Sequence, residues 1–315
     1  MDDREVIGLL NEDIRGEHGA IILYLRIAYG MGEGEVASDV EQIARDEMRH
    51  LKWLSEEVVR RGGVPTTERD ESGAGTSDPL ALMRLAVEGE QSATETYTAH
   101  AEAIGDPRTA LLLERILTDE RYHHGKFQRL IQALEESAAA PEAPPETPPE
   151  GIVESVQENV RLEYTTLLQY LQQSFLTPDC PLSKDLLDQA IIEMTHMGWL
   201  AEYLAEAGVA PRMEHDSVED EGDPERLLQA NVQVEVGVEE VYRRQLESAQ
   251  DPSLQRLLQR IFEHSVYHEA HFRGLLADVQ GRAAAASEEA PEPPTPARAP
   301  AAGWTVGSLL GRKQV

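Results

Sequence analysis

The chain is written twice. Glu17 and Glu163, Glu47 and Glu193, and His50 and His196 are each 146 positions apart, while Glu90 and Glu235, Tyr97 and Tyr242, and His123 and His268 are each 145 apart. Trp53 and Trp199 keep the offset of the helix they share with the ligand-type residues. A period of this length makes the chain a tandem duplication of one domain-sized unit. Any fold must satisfy both copies, and any chemistry must be built from the residues held in register.

Those residues are mostly Glu and His at helical spacing. Glu47-Met48-Arg49-His50, Glu120-Arg121-Tyr122-His123 and Glu193-Met194-Thr195-His196 each place a carboxylate and an imidazole three positions apart. Residues so spaced lie on one face of a helix, so both side chains can reach one cation. A single such step means little in a chain with 58 acidic residues and 10 histidines. Its recurrence on separate helices is what carries weight.

Apolar periodicity and turn signals predict helices over about 3–29, 36–61, 79–104 and 108–136. A second set follows near 151–176, 182–207, 224–249 and 252–281. Gly30-Met31-Gly32, Gly62-Gly63 with Pro65, and Gly105-Asp106-Pro107 punctuate the first set. Four long helices call for a bundle. Residues 62–77 are far more than a tight turn needs, and at roughly 3.3 Å each they span the ~40 Å of a 26-residue helix. A long second connection between short ones gives the connectivity of a crossover bundle, with Gly208 to Gly222 as its second copy. The expected fold is all-α: two tandem four-helix bundles, residues 1–137 and 151–281. A Pro-rich linker at 138–150 joins them, and an Ala/Pro/Glu-rich tail at 282–303 and a terminal peptide at 304–315 follow.

Composition narrows the function. One cysteine, Cys180, excludes a disulfide framework and any Cys-based zinc or iron centre. A net charge of −30 argues against nucleic acid and anionic membrane as partners and is compatible with attracting cations. No apolar run is long enough to span a bilayer, and Met1-Asp2-Asp3-Arg4 is no secretory start, so a cytoplasmic location is expected.

Glu17, Glu47, Glu90 and Glu120 each lie about a dozen or more residues from an end of their helix, which brings all four to mid-bundle. Four carboxylates at one buried level repel each other unless cations compensate. One Glu from each of two helices plus Glu-x-x-His from each of the other two is a recipe for a pair of metal ions. Tyrosines recur seven residues after the Glu on the helices that lack His, as Glu17–Tyr24, Glu90–Tyr97, Glu163–Tyr170 and Glu235–Tyr242. Such a tyrosine can donate to a ligand carboxylate on a neighbouring helix.

With these motifs the first half resembles the ferritin-like superfamily, nearest to bacterioferritin and rubrerythrin-like di-iron proteins. Asp46-Glu47-Met48-Arg49-His50 and Asp119-Glu120-Arg121-Tyr122-His123 match its ligand motifs. The resemblance implies Glu17 and Glu90 as terminal ligands, Glu47 and Glu120 as bridges, and His50 and His123 giving one nitrogen to each ion. It also implies Glu47, Glu120, Tyr24 and Tyr97 as the catalytic set and a di-iron cofactor, Fe2+/Fe3+, with manganese suited to the same donors. The reaction implied is oxidation of Fe2+ by dioxygen or peroxide.

In the second half Glu163, Glu193, His196, Glu235 and His268 are in register as metal ligands, but Ser265 stands where Glu120 should recur. His264 or Glu269 could compensate, though the spacing of Glu269 points it elsewhere. A degenerate half kept for packing and a weaker or single-metal site both remain open. Met48 and Met194 stand where bacterioferritins place a haem-ligating methionine; methionine is also ordinary bundle filler, and haem is left out of the expected cofactors. His18, His100, His215 and His271 read as surface or satisfied histidines.

Gly303-Trp304-Thr305-Val306-Gly307-Ser308-Leu309-Leu310-Gly311 resembles the targeting peptide of encapsulin cargo proteins. The expected function is therefore a ferroxidase carried as cargo in an encapsulin nanocompartment in the cytoplasm. Its partners would be the shell protein, bound through residues 304–315, and possible further copies of the chain. A di-metal peroxidase, a manganese catalase and a non-catalytic metal-binding cargo are the other readings of the same residues.

Overall fold

The computed structural model describes residues 1–32, 34–71, 76–136, 148–218 and 222–289, with side chains as far as residue 282. Among these residues there are eight helices and no strand: α1 (Asp3–Met31), α2 (Glu35–Arg60), α3 (Pro79–Ala103), α4 (Pro107–Glu136), α5 (Glu150–Leu176), α6 (Cys180–Glu206), α7 (Pro224–Ser248) and α8 (Pro252–Glu289).

The helix starts follow from local chemistry. Asp2 and Glu5 form a reciprocal capping box at α1, each side chain accepting from the other's backbone N–H at 2.9 and 2.8 Å. Asp78, Asp179 and Asp223 cap α3, α6 and α7, each with proline in the first two helical positions. Helix α1 runs through Gly30 and stops where Gly32 turns with φ +70°. Helix α8 continues to Glu289, past the boundary at 281 that the sequence suggests. Ala283 to Ala286 are the strongest helix formers, and the first proline after them is Pro291. The expected linker and tail otherwise lie almost wholly outside the described residues, as does the peptide 304–315.

In each half the short links pair α1 with α2 and α3 with α4, or α5 with α6 and α7 with α8, and the long crossover lets the two pairs face each other. The first crossover is laid along α1. Asn11 Nδ2 donates to Val64 O at 3.2 Å, Thr66 N donates to Asn11 Oδ1 at 2.9 Å, and Asp70 N donates to Arg15 O at 3.1 Å. Gly19 permits this approach, because a Cβ there would lie 2.5 Å from Asp70 O. The second half solves the same contact differently: Gln157, equivalent to Asn11, bonds Ala210 O and Arg212 N, and Thr165, equivalent to Gly19, accepts from Asp216 N at 3.0 Å.

One apolar core runs through both halves. Leu10, Ile14, Leu54, Met83 and Ile116 of the first bundle and Val160, Leu200, Leu204 and Ile261 of the second are all buried in it. Each such side chain contributes about 1.5–3 kcal/mol relative to exposure. Helices α1 and α2 meet α6 and α5 across the junction. At Gly198 a Cβ would lie 2.9 Å from the Tyr29 hydroxyl, so glycine there leaves room for the Tyr29 ring between α1 and α6.

Candidate metal centre

Four helices of the first bundle each bring one carboxylate to the same buried level: Glu17 from α1, Glu47 from α2, Glu90 from α3 and Glu120 from α4, none more than 4% exposed. His50 and His123 join them from α2 and α4, both 1% exposed. The atoms fall into two overlapping groups, Glu17–Glu47–His50–Glu120 and Glu47–Glu90–Glu120–His123, each within 4.8 Å of one another. Glu47 and Glu120 belong to both groups and are placed to bridge two cations.

The polar atoms inside this cluster are close yet not satisfied. His50 Nδ1 lies 2.7 Å from Glu47 Oε2 and 3.1 Å from Glu120 Oε1, and His123 Nδ1 lies 2.8 Å from Glu47 Oε1. Even so, both Glu47 oxygens, Glu90 Oε2, Glu120 Oε1 and both Nδ1 atoms are buried with no aligned hydrogen-bond partner among the described residues. Burying so many unpaired polar atoms is costly. Lone pairs that converge without donating to each other fit two cations of the kind held by oxygen and imidazole.

Neighbours hold the ligands in place. Tyr24 donates to Glu90 Oε1 at 2.6 Å and Tyr97 donates to Glu17, each tyrosine reaching from the other's Glu-bearing helix. The outer nitrogen of each histidine meets a carboxylate on the opposite helix: His50 Nε2 lies 3.2 Å from Asp119 Oδ2, and His123 Nε2 lies 3.3 Å from Asp46 Oδ2. Each Asp directly precedes a ligand Glu, so one Asp-Glu-x-x-His step feeds both sides of the centre. The sequence displays these aspartates, but the crossing depends on the register between α2 and α4, which spacing within one helix does not reveal.

Electrostatics follow from burial. Desolvation, with the neighbouring carboxylates adding to it, pushes Glu47, Glu90 and Glu120 above the usual range. Burial works against a charge on His50, but Glu17, Glu120 and Glu47 outweigh it and raise its pKa. His123 moves down, chiefly by burial and in part by His50. Without cations the cluster is a set of acids held near one another at considerable cost.

The second bundle gathers Glu163, Glu193, His196, Glu235 and His268, but in two groups of three: Glu163–Glu193–His196 and Glu193–Glu235–His268. Only Glu193 is shared. Tyr170 donates to Glu235 at 2.6 Å and Tyr242 donates to Glu163, as in the first half. Ser265, in the place of Glu120, turns its hydroxyl back to Ile261 O at 3.2 Å. His264 does not supply the missing ligand; its Nδ1 lies 2.8 Å from the outer nitrogen of His196, the position that Asp119 takes in the first half. Ile192 stands where Asp46 would recur. Burial raises Glu163 to about 7, whereas Glu193 falls below the usual range because His196 and His268 together outweigh its burial. Against burial, Glu163 and Glu193 raise His196 to about 10, and Glu193 and Glu235 raise His268 to about 9.

The ferritin-like domain family matches the chain twice, over residues 7–137 and 153–281. The chain belongs to the ferritin-like family. A stretch of 131 residues is 32% identical to the bacterioferritin of Desulfovibrio desulfuricans, covering 39% of this chain and 73% of that protein. A stretch of the same length is 28% identical to the 3-demethoxyubiquinol 3-hydroxylase of Alcanivorax borkumensis, covering 38% of this chain and 60% of that protein. Each matched stretch is about as long as one of the two ferritin-like units of this chain.

The junction of the two ferritin-like bundles leaves a half-open apolar pocket of about 360 Å³ lined by Ile21, Leu25, Met48, Leu168, Met194 and Met197. Met48 and Met194, equivalent in the repeat, therefore come together. Of the histidines outside the centres, His18 is buried and bonded to Tyr164, while His100 Nδ1 meets Asp13 at 2.8 Å. His215 Nδ1 donates to Asp216 O, and His271 stacks on Tyr267. Among the described residues no helix is long and apolar enough to cross a membrane.

Proposed function

We propose that the chain is a ferroxidase whose first bundle binds two Fe2+ ions as substrate and passes their electrons to dioxygen or peroxide. The observation that carries this reading is the cluster of unpartnered buried lone pairs on Glu47, Glu90, Glu120, His50 and His123. Similarity to a bacterioferritin supports it. Two irons supply two electrons, enough to reduce dioxygen to hydrogen peroxide, or peroxide to water, with two protons consumed.

The residues divide the work. Glu47 and Glu120 bridge the ions and fix their separation; Glu17 and Glu90 close the outer faces, held by Tyr97 and Tyr24. Four inner carboxylates balance two divalent cations, so oxidation leaves two positive charges in excess and favours product leaving. Asp46 and Asp119 fix the ring orientation of the two histidines and keep Nδ1 turned inward. Manganese suits the same oxygen and nitrogen donors.

Residues 304–315 would carry this ferroxidase into an encapsulin shell, where the oxidised iron is stored. Their sequence supports the reading. Val306, Leu309 and Leu310 can each gain about 1.5–3 kcal/mol by burial in a groove before ordering costs, and several copies on one shell gain by multivalency.

Stopped-flow oxidation of Fe2+ tests the first part. Replacing Glu47 or Glu120 by Ala should abolish rapid oxidation and leave the helical circular dichroism intact; unchanged rates in both variants exclude the two-iron reading. Deleting 304–315 tests the second: oxidation should persist while co-purification with a co-expressed shell protein is lost.

A further inference from the structure

The two halves share a ligand register but differ in where lone pairs are left over. In the first bundle both His50 Nδ1 and His123 Nδ1 face the cluster without an aligned partner. In the second, His268 Nδ1 is left so, and with it Glu193 Oε1, only 2.9 Å away. His196 is different. Its Nδ1 is hydrogen-bonded to Glu193 Oε2 at 2.9 Å and to Glu163 Oε2 at 3.3 Å, and its Nε2 to His264. The ring has settled between carboxylates whose first-half equivalents, Glu17 and Glu47, are grouped with a further carboxylate, Glu120.

We infer that the second bundle binds one divalent cation, on Glu193, Glu235 and His268, where the first is built for two. Three observations converge on this number. The second bridge is gone, because Ser265 turns its hydroxyl to Ile261 O and offers no carboxylate. The Glu163–Glu193 side is closed by His196, which occupies both carboxylates as a donor. The Glu193–Glu235–His268 side keeps two buried, unpartnered atoms 2.9 Å apart, within 4.8 Å of a Glu235 oxygen, and Glu235 is held by Tyr170. Two carboxylates balance one divalent cation, and an imidazole nitrogen completes three protein donors, with remaining positions open to water. His196 and His264 are positioning residues here: they tie Glu163 and Glu193 to one side of the bundle and do not touch the ion.

The inference uses the two-ion reading of the first bundle only for comparison, and its test removes that bundle's bridges. The full chain carrying Glu47→Ala and Glu120→Ala is stripped of metal and titrated with Co2+ in citrate, which competes for ions held loosely by the acidic surface. Bound Co2+ is read by elemental analysis after desalting and by its visible absorption. One Co2+ per chain is expected. Adding Glu235→Gln, which preserves shape, or His268→Ala should abolish that binding, while His196→Ala should retain it, with circular dichroism reporting the fold in each case. Zero or two Co2+ in the parent variant overturns the inference. So does retention in either the Glu235→Gln or the His268→Ala variant, or loss in His196→Ala with the fold intact.

Discussion

His18 and Tyr164 stand at the same position of the two repeats, 146 residues apart, and are hydrogen-bonded to each other, His18 Nε2 against the Tyr164 hydroxyl. The approximate two-fold relation between the bundles therefore passes through this contact. Arg69 and His215 form another equivalent pair around it: Arg69 Nη1 donates to the Tyr164 hydroxyl at 3.1 Å, and the His215 ring lies 5.1 Å from that of Tyr164. Burial pushes His18 down to about 4, so its ring is neutral near pH 7 and Nε2 accepts from Tyr164 while Nδ1 donates to Glu68 O at 3.3 Å. Two identical chains meeting on a two-fold axis would set like against like. Covalent duplication allows a donor and an acceptor to face each other instead.

Tyr164→Phe should therefore weaken the junction. It leaves His18 Nε2 buried without a donor and removes an acceptor from Arg69, a loss of about 1–3 kcal/mol in unfolding free energy. Denaturant unfolding of the apo chain measures it. A shift below about 0.5 kcal/mol would mean that water or Arg69 replaces the hydroxyl at no cost.

Asp119→Ala should act on the first centre from outside. It frees His50 Nε2 while leaving every inner ligand in place, and outer partners of metal-bound histidines are typically worth about 10–100-fold in metal affinity. Co2+ titration of the full chain should show one of the two first-bundle ions weakened by that factor, with helix content unchanged. Asp46→Ala should do the same on the His123 side. Equal affinities in the variants and the parent would reduce both aspartates to surface acids.

The helices, the crossover bundle and the Glu and His residues that gather in each bundle were legible because each depends on spacing within one helix or on an offset between repeats. Glu47 and His50 share a face whatever their surroundings, and Ser265 shows as a missing Glu as soon as the halves are set in register. Contacts between helices were not legible in that way. The crossing of Asp46 to His123 and of Asp119 to His50 needs the relative height of α2 and α4. His264 lies one turn from His268 and so reads as a spare ligand, yet it reaches the back of His196. Gly19 and Thr165 share one repeat position, yet their residue types do not reveal that both serve the contact with the crossover, one by leaving room and the other by accepting a hydrogen bond. The end of α8 is not legible from composition, because Ala283 to Ala286 belong to an Ala/Pro/Glu-rich stretch and yet carry the helix on as far as Glu289.

Asp13 gives the fold a pH dependence of its own. Burial raises its pKa to about 6 although His100 opposes the rise, and its Oδ2 has no hydrogen-bond partner among the described residues. The folded value lies above the unfolded 3.8, so the native chain holds this proton more tightly. The resulting stability is fully present below about pH 3.8 and is lost as pH rises through about 6. Between pH 4 and 7 the metal-free chain should lose about 2–3 kcal/mol relative to Asp13→Asn, at 1.36 kcal/mol per unit. Unfolding both proteins across that range checks the difference, in which the other acids cancel. A constant difference would show that His100 keeps Asp13 ionised throughout.

Ser265→Glu asks whether one residue separates the two centres. A carboxylate there would rise from α8 where Glu120 rises from α4, and could draw Glu193 and His196 into a second group of four donors. Four carboxylates would then balance two divalent cations, as in the first bundle. In the chain carrying Glu47→Ala and Glu120→Ala, the added Glu should raise bound Co2+ from one to two per chain. The outer shell would still differ, since Ile192 cannot hold His268 and His264 replaces Asp119 behind His196. Both ions should therefore bind about 10–100-fold more weakly than those of the intact first bundle. Adding Ile192→Asp and His264→Asp should recover much of that difference. If the folded Ser265→Glu chain still binds one Co2+, the missing bridge is not what limits the second bundle, and the hydrogen bonds of His196 to Glu163 and Glu193 must be the stronger constraint.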